Sequence, residues 1–100
     1  MRKITAEACQ AFESGQNYKK GNTQVRRHTI GYDRATMYLH GNAIARMDIK
    51  GDVRITNAGY KTNVTKERLN GLTGVNIQQR NFAWYLNGEE WNGNWVTIAD

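Results

Sequence analysis

Cys9, His28 and His40 are the only thiol and imidazole side chains in this 100-residue chain. One cysteine and two histidines fall short of a zinc-type ligand set in number and spacing. Pairing Cys9 with either histidine would give a nucleophile and a base, but no local signature supports that chemistry. The sequence therefore predicts a small buried thiol at Cys9 and strand or turn roles for the histidines. The carboxylates offer no more. Glu89 and Glu90 are adjacent, so on a strand they point to opposite faces and do not converge on one glycosidic bond. Asp48 and Asp52 flank a turn, where a salt-bridge or turn role is expected. Gly71-Leu72-Thr73-Gly74 is glycine-rich but lacks the Lys-Ser/Thr of a phosphate loop. Asn63-Val64-Thr65 matches a glycosylation sequon but reads more simply as the start of a helix. The expectation is a protein that is not an enzyme and carries no metal or cofactor.

Binding chemistry is better represented. Fourteen Lys and Arg against nine Asp and Glu give a net charge of +5. Residues 1–80 hold all fourteen bases and six acids, a balance of +8, whereas residues 81–100 hold only Glu89, Glu90 and Asp100, a balance of −3. A basic body raises the odds of a polyanionic partner. The plainer reading is that solvated charge keeps a small domain soluble. Lys19, Lys20, Arg26, Arg27 and Arg34 gather around one predicted strand with His28, and Lys61, Lys66 and Arg68 around a predicted helix. Tyr18, Tyr32, Tyr38 and Tyr60 lie nearby and are of a type that stacks on unpaired bases. The favoured set for DNA or RNA is Arg26, Arg27, Arg46 and Arg54 on phosphates with Tyr38 stacking. Arg26 and Arg27 are neighbours on a strand, so at most half of that cluster serves one surface.

The acidic tail names a second surface. Trp84, Trp91 and Trp95 all fall within twelve residues. Covering the sheet is one role for them. Anchoring a host protein is the other, since Trp and Tyr dominate binding energy at interfaces. The alternative function is therefore a protein-binding inhibitor of a host or defence factor, using Glu89, Glu90, Trp91 and Trp95.

These side chains need a scaffold. Ile4, Ala8, Ala11 and Phe12 recur at helical spacing, and Thr5 is a suitable cap for a helix running to about Glu13 and stopped by Gly15. Residues 16–22 read as a polar loop. Gly31, Gly41 and Gly51 then punctuate β-prone segments, predicting an antiparallel meander with strands at about 23–30, 35–40, 43–49 and 53–57. If His40-Gly41-Asn42 and Lys50-Gly51-Asp52 each supply three loop residues, Met37, Leu39, Ala43, Ala45, Met47, Ile49, Val53 and Ile55 share the core face. That register puts Tyr38, Ile44, Arg46 and Arg54 outside and Asp48 opposite Arg54. Asn57-Ala58-Gly59 breaks the last strand. A second helix is expected at 63–70, capped by Thr62 or Asn63 and followed by Gly71. Its apolar stripe, Val64 and Leu69 with Leu72 beyond, is thin enough to predict a surface helix. Strands follow at 75–79 and 82–86. Asn87-Gly88 suits a two-residue type I′ hairpin, which pairs Leu86 with Glu89, Tyr85 with Glu90 and Trp84 with Trp91. Asn92-Gly93 comes too soon for a second tight hairpin and is expected to form a looser turn.

The length fits one domain, residues 1–100, of class α+β: an antiparallel sheet, as a meander plus a C-terminal hairpin, with two short helices. No apolar run approaches the roughly 18 residues of a membrane span, so no membrane partner is expected. Met1-Arg2-Lys3-Ile4 is not followed by the apolar segment of a signal peptide. A lone cysteine suits a reducing compartment. Oligomeric state is not written in the sequence.

Three segments carry a resemblance. They are 39–45 (Leu-His-Gly-Asn-Ala-Ile-Ala), 55–70 (Ile-Thr-Asn-Ala-Gly-Tyr-Lys-Thr-Asn-Val-Thr-Lys-Glu-Arg-Leu-Asn) and 84–88 (Trp-Tyr-Leu-Asn-Gly). The chain resembles small uncharacterised proteins of tailed bacteriophages over most of its length. That group has no assigned activity, so the resemblance supplies no functional residue. It implies a virus-encoded protein acting in bacterial cytoplasm, with a host system as one candidate target.

Overall fold

The computed structural model describes residues 1–98; Asp100, one of the tail acids, lies outside the described residues. The element order is α1 (Lys3–Ser14), β1 (Tyr18–Lys20), β2 (Thr23–Arg27), β3 (Asp33–Leu39), β4 (Asn42–Asp48), β5 (Val53–Ile55), α2 (Asn63–Asn70), β6 (Ile77–Arg80), β7 (Ala83–Leu86), β8 (Glu89–Glu90) and β9 (Val96–Thr97). The fold is α+β. A six-stranded sheet in the order β1-β2-β3-β4-β5-β9 is accompanied by a three-stranded sheet β6-β7-β8, and the strand pairs among the described residues are antiparallel.

Helix α1 starts earlier than the sequence predicts. Arg2 rather than Thr5 holds the cap position, without a side-chain cap bond, and Thr5 is fully buried instead. Gly15 ends the helix in the left-handed region, where glycine carries no Cβ penalty. The expected polar loop at 16–22 is partly a strand. β1 folds back on β2 through Gly21-Asn22, and Tyr18 Oη donates to Glu7 on α1 at 3.0 Å.

The β3–β4 register corrects two inward–outward assignments. Leu39 pairs with Asn42, so the turn has two loop residues, His40 and Gly41, rather than three. Met37 pairs with Ala45 but Tyr38 with Ala43, which leaves Ile44 as a β-bulge. The bulge turns Ile44 into the core at 1% exposure, while Ala43 shares the face of Tyr38. The β4–β5 register is shifted two residues from expectation. Arg46, not Asp48, lies opposite Arg54, and Ile49 leaves the core to sit exposed in the turn. Asp48 serves that turn, accepting from the backbone N–H of Lys50 at 2.9 Å and Asp52 at 3.0 Å. Desolvation raises its pKa, but these N–H donors, with the Tyr32 hydroxyl and the Lys50 charge, outweigh it and hold the carboxyl below the ordinary carboxylate value.

Helix α2 matches its predicted bounds. Thr62 Oγ1 accepts from Thr65 N at 3.2 Å, an N-cap bond. The helix is not superficial, however: Thr65, Arg68 and Leu69 are all buried. It meets α1 at Gly71, whose φ of −77° needs no glycine. A Cβ there would lie 2.6 Å from Cys9 Sγ and 2.8 Å from Thr5 Cγ2, so glycine is required for contact rather than conformation.

Cys9 is buried and donates to Arg68 O at 3.3 Å. Burial first, then Glu13 and Glu67, push its thiol up to about 12. An unfolded thiol ionises near its ordinary value of 9.0. Stability from this site is therefore complete below pH 9 and declines as pH rises from about 9 to about 12. Cys9 is expected to resist iodoacetamide at pH 8 in the native protein and to react on unfolding in urea. Rapid labelling of the native state would contradict this placement.

Both helices contribute to one core cluster with Val25, Met37, Ala45, Ile55 and Trp84. Among the described residues, the opposite face of the large sheet carries no helix.

Candidate nucleic-acid interface

Cross-strand pairing sets the geometry of the open face. Arg26 pairs with Thr36, Thr36 with Arg46, Arg46 with Arg54 and Arg54 with Thr97, so one row crosses β2, β3, β4, β5 and β9. Alternation places this row opposite Val25, Met37, Ala45 and Ile55. Of the arginines expected to share a surface, Arg26, Arg46 and Arg54 do. Arg27 pairs with Ala35 in the neighbouring row, at the exposed end of β2. Tyr38 lies on the row's face, half-buried, beside Gln24 and Ala43.

Arg46 directly faces Arg54, and like charges opposite one another destabilise a sheet. Two neighbours relieve it. Arg54 Nη2 donates to Asp33 Oδ1 at 2.9 Å, and the Arg46 guanidinium lies 5.0 Å from the Trp95 ring centroid. The ion pair is partly exposed, with side chains at 39% and 29%, so it contributes at most about 1 kcal/mol. The Arg46–Trp95 contact contributes about 0.5–1 kcal/mol at an exposed site. At the row's centre, Thr36 is 2% exposed and its Oγ1 is 2.8 Å from His28 Nε2.

Trp95 reaches this face because the tail does not end as a hairpin. After Asn92-Gly93 the chain crosses to the large sheet, where β9 pairs with β5. Two contacts fix the crossing: Asn57 N donates to Gly93 O at 3.0 Å and Thr56 Oγ1 to the same oxygen at 2.6 Å. Aromatic tail and basic body are separate in the sequence; the fold brings Trp95 onto Arg46.

The hairpin follows its predicted register. Leu86 pairs with Glu89 and Tyr85 with Glu90, Trp91 N donates to Trp84 O at 2.9 Å, and the two indoles lie 6.1 Å apart. Such a pair contributes about 0.5–1.5 kcal/mol beyond its buried area. Trp84 is fully buried and Trp91 half-buried, its Nε1 donating to Asn94 O. Glu89 and Glu90 are exposed. The four residues expected from sequence to form one protein-binding surface are thus divided: Trp91 packs on Trp84, and Trp95 lies under Arg46.

Thr36 was not among the residues expected at the site. Neither were Phe82 and Asn57, which line a groove beside the hairpin with Lys61, a member of the second basic cluster. Asn81-Phe82 forms a two-residue turn between Arg80 and Ala83, with φ of 50° and 68°. Asn81 was its signal in the sequence; phenylalanine is not a turn residue. Among the described residues no His, Cys, Asp and Glu group is placed to hold a metal, and no helix is long and apolar enough to cross a membrane.

Over residues 1–97 the chain matches the family model described as Kyanoviridae Gp96 protein. No curated protein and no solved structure matches it.

Proposed function

The chain belongs to the Kyanoviridae Gp96 family of phage proteins, and on that footing we propose that it is a non-enzymatic accessory protein binding nucleic acid on the open face of its large sheet. One observation carries the reading: Arg26, Arg46 and Arg54 stand in a single cross-strand row with an exposed Trp95 against Arg46. A facing arginine pair is unfavourable in the free protein and is relieved when a phosphate lies between the two. Trp95 and Tyr38 on the same face offer base stacking, which contributes about 1–3 kcal/mol per base where it occurs. Arg27 is set aside from the contact set on its different row. The protein acts in this reading within the host cytoplasm, where DNA and RNA are both accessible.

The protein-binding alternative has less support. Trp91 packs on Trp84, and the exposed Glu89 and Glu90 stand on the hairpin while Trp95 lies on the large sheet beside Arg46, so the four do not form one surface.

Fluorescence anisotropy with labelled single- and double-stranded oligonucleotides at low salt tests the proposal. Arg46→Ala with Arg54→Ala is expected to weaken binding at least tenfold. It should also flatten the log K against log [salt] slope by about 0.7 for a single strand, because the phosphate held between the two is no longer neutralised. No binding at low salt, or a slope unchanged in the double variant, overturns it.

A further inference from the structure

Two parallel rows cross the open face of the large sheet, and their contents differ. The first is the row of Arg26, Thr36, Arg46, Arg54 and Thr97. In the second, Lys19 pairs with Gln24, Gln24 with Tyr38 and Tyr38 with Ala43. Trp95 stands at the other end of this second row, two residues before Thr97. Neighbouring strands are antiparallel, so Tyr38 (two past Thr36) and Trp95 (two before Thr97) are displaced from the arginines in the same direction. Two residues of strand make that displacement about 6.6 Å, and three strand spacings put the two aromatics about 14 Å apart.

The flanks of the arginine row are chemically unlike. On the aromatic side, Lys19 is the one charged member among the residues just named, and it lies on β1, beyond Gln24. On the other side, His28 and Arg34 stand at the β2–β3 end, followed by the Asp33 carboxylate that holds Arg54. The face therefore has one line of cations, bordered by rings on one side and by a carboxylate on the other. Trp95 is 42% exposed, so its ring keeps free surface beyond its contact with Arg46.

We propose that this face takes an unpaired strand, not a duplex, laid across the β-strands with its phosphates along the arginines and its bases toward Tyr38 and Trp95. The inference rests on the sheet-face reading and adds the class and orientation of the nucleic acid. One line of cations matches one sugar–phosphate backbone. A duplex carries a second backbone across a groove about 6 or 12 Å wide, and neither flank offers it a second line of cations. The rings need the faces of bases, which a duplex covers with neighbouring pairs and an unpaired strand leaves open.

Fluorescence anisotropy at low salt, with a short labelled oligonucleotide and the same strand annealed to its complement, tests this. The strand is expected to bind at least tenfold more tightly than the duplex and to quench tryptophan emission. Trp95→Ala is expected to reduce that quenching, to weaken strand binding at least about fivefold, the lower end for one lost stacking contact, and to change duplex affinity less than twofold. A purely structural role for Trp95 would weaken both alike, and that result overturns the proposal. Duplex bound as tightly as the strand, with both lost in Arg46→Ala with Arg54→Ala, also overturns it while leaving the sheet-face reading intact. Binding of neither, or binding indifferent to the arginine substitutions, overturns both.

Discussion

Replacing Arg68 with alanine is expected to cost about 3–5 kcal/mol, from the cavity it leaves and the buried hydroxyls it deprives of a donor. Arg68 is 2% exposed. Its guanidinium donates to Thr23 Oγ1 at 2.9 Å, to Thr5 Oγ1 at 2.6 Å and to Glu67 Oε1 at 3.3 Å. Thr5 also donates to Glu67, so one cation joins α1, α2 and the start of β2. Alanine would leave two buried hydroxyls short of a partner, a carboxylate uncompensated and a cavity behind them. Against a typical total of about 5–15 kcal/mol, that is a large share. With an m-value of about 1–3 kcal/mol per molar, the urea midpoint should fall by roughly 2 M. Glu67→Gln should cost less, about 1 kcal/mol, because Glu67 is 29% exposed and solvent screens the pair. A loss below about 1 kcal/mol for Arg68→Ala would show that the network contributes little net stability.

Gly93→Ala is expected to destabilise by about 2–5 kcal/mol, combining a backbone penalty of about 1–2 with overpacking of about 1–3. Gly93 is buried with φ of 90°. A Cβ there would lie 2.1 Å from Asn57 Nδ2 and 2.4 Å from its Cγ. The carboxamide does not move freely, because its Oδ1 holds Gly59 N at 2.8 Å. Relief therefore requires the 92–95 segment to lift, weakening the two bonds to Gly93 O and the β5–β9 pairing. Amide exchange of Ile98, whose N–H donates to Val53 O, should quicken before that of α1, and Trp95 emission should shift to the red. Gly88→Ala is the control: a Cβ there meets nothing within 4 Å, so only the backbone penalty applies. Equal losses at both glycines would mean that contact with Asn57 is not the cause.

The family match agrees with the resemblance to small phage proteins drawn from the sequence. Beyond that, what was legible is what neighbouring residues determine among themselves. Thr62 caps α2 by reaching three residues ahead, and Asn87-Gly88 sets its hairpin and hence the Trp84–Trp91 pair. The candidate site was legible in part. Alternation put Arg46 and Arg54 outside and allowed only one of Arg26 and Arg27 to join them, but the alignment in one row depends on the β4–β5 register, which the turn around Lys50-Gly51 shifts by two residues.

What the tertiary structure decided involves partners distant in sequence. Arg68 reads as a surface cation on a thin helix until Thr5, 63 positions away, and Thr23, 45 positions away, supply acceptors that make burial tolerable. Ile44 belongs outside by alternation until a bulge sends it inward. Strands β1 and β9 are too short to show a period of their own, and exist because β2 and β5 offer edges. Sequence alone therefore determined the class, the second helix, the aromatic pair and the basic character, since local hydrogen bonds and side-chain period encode them. Only the fold could place Trp95 on Arg46 and open a groove beside Phe82, because each requires segments far apart in the chain to pack together.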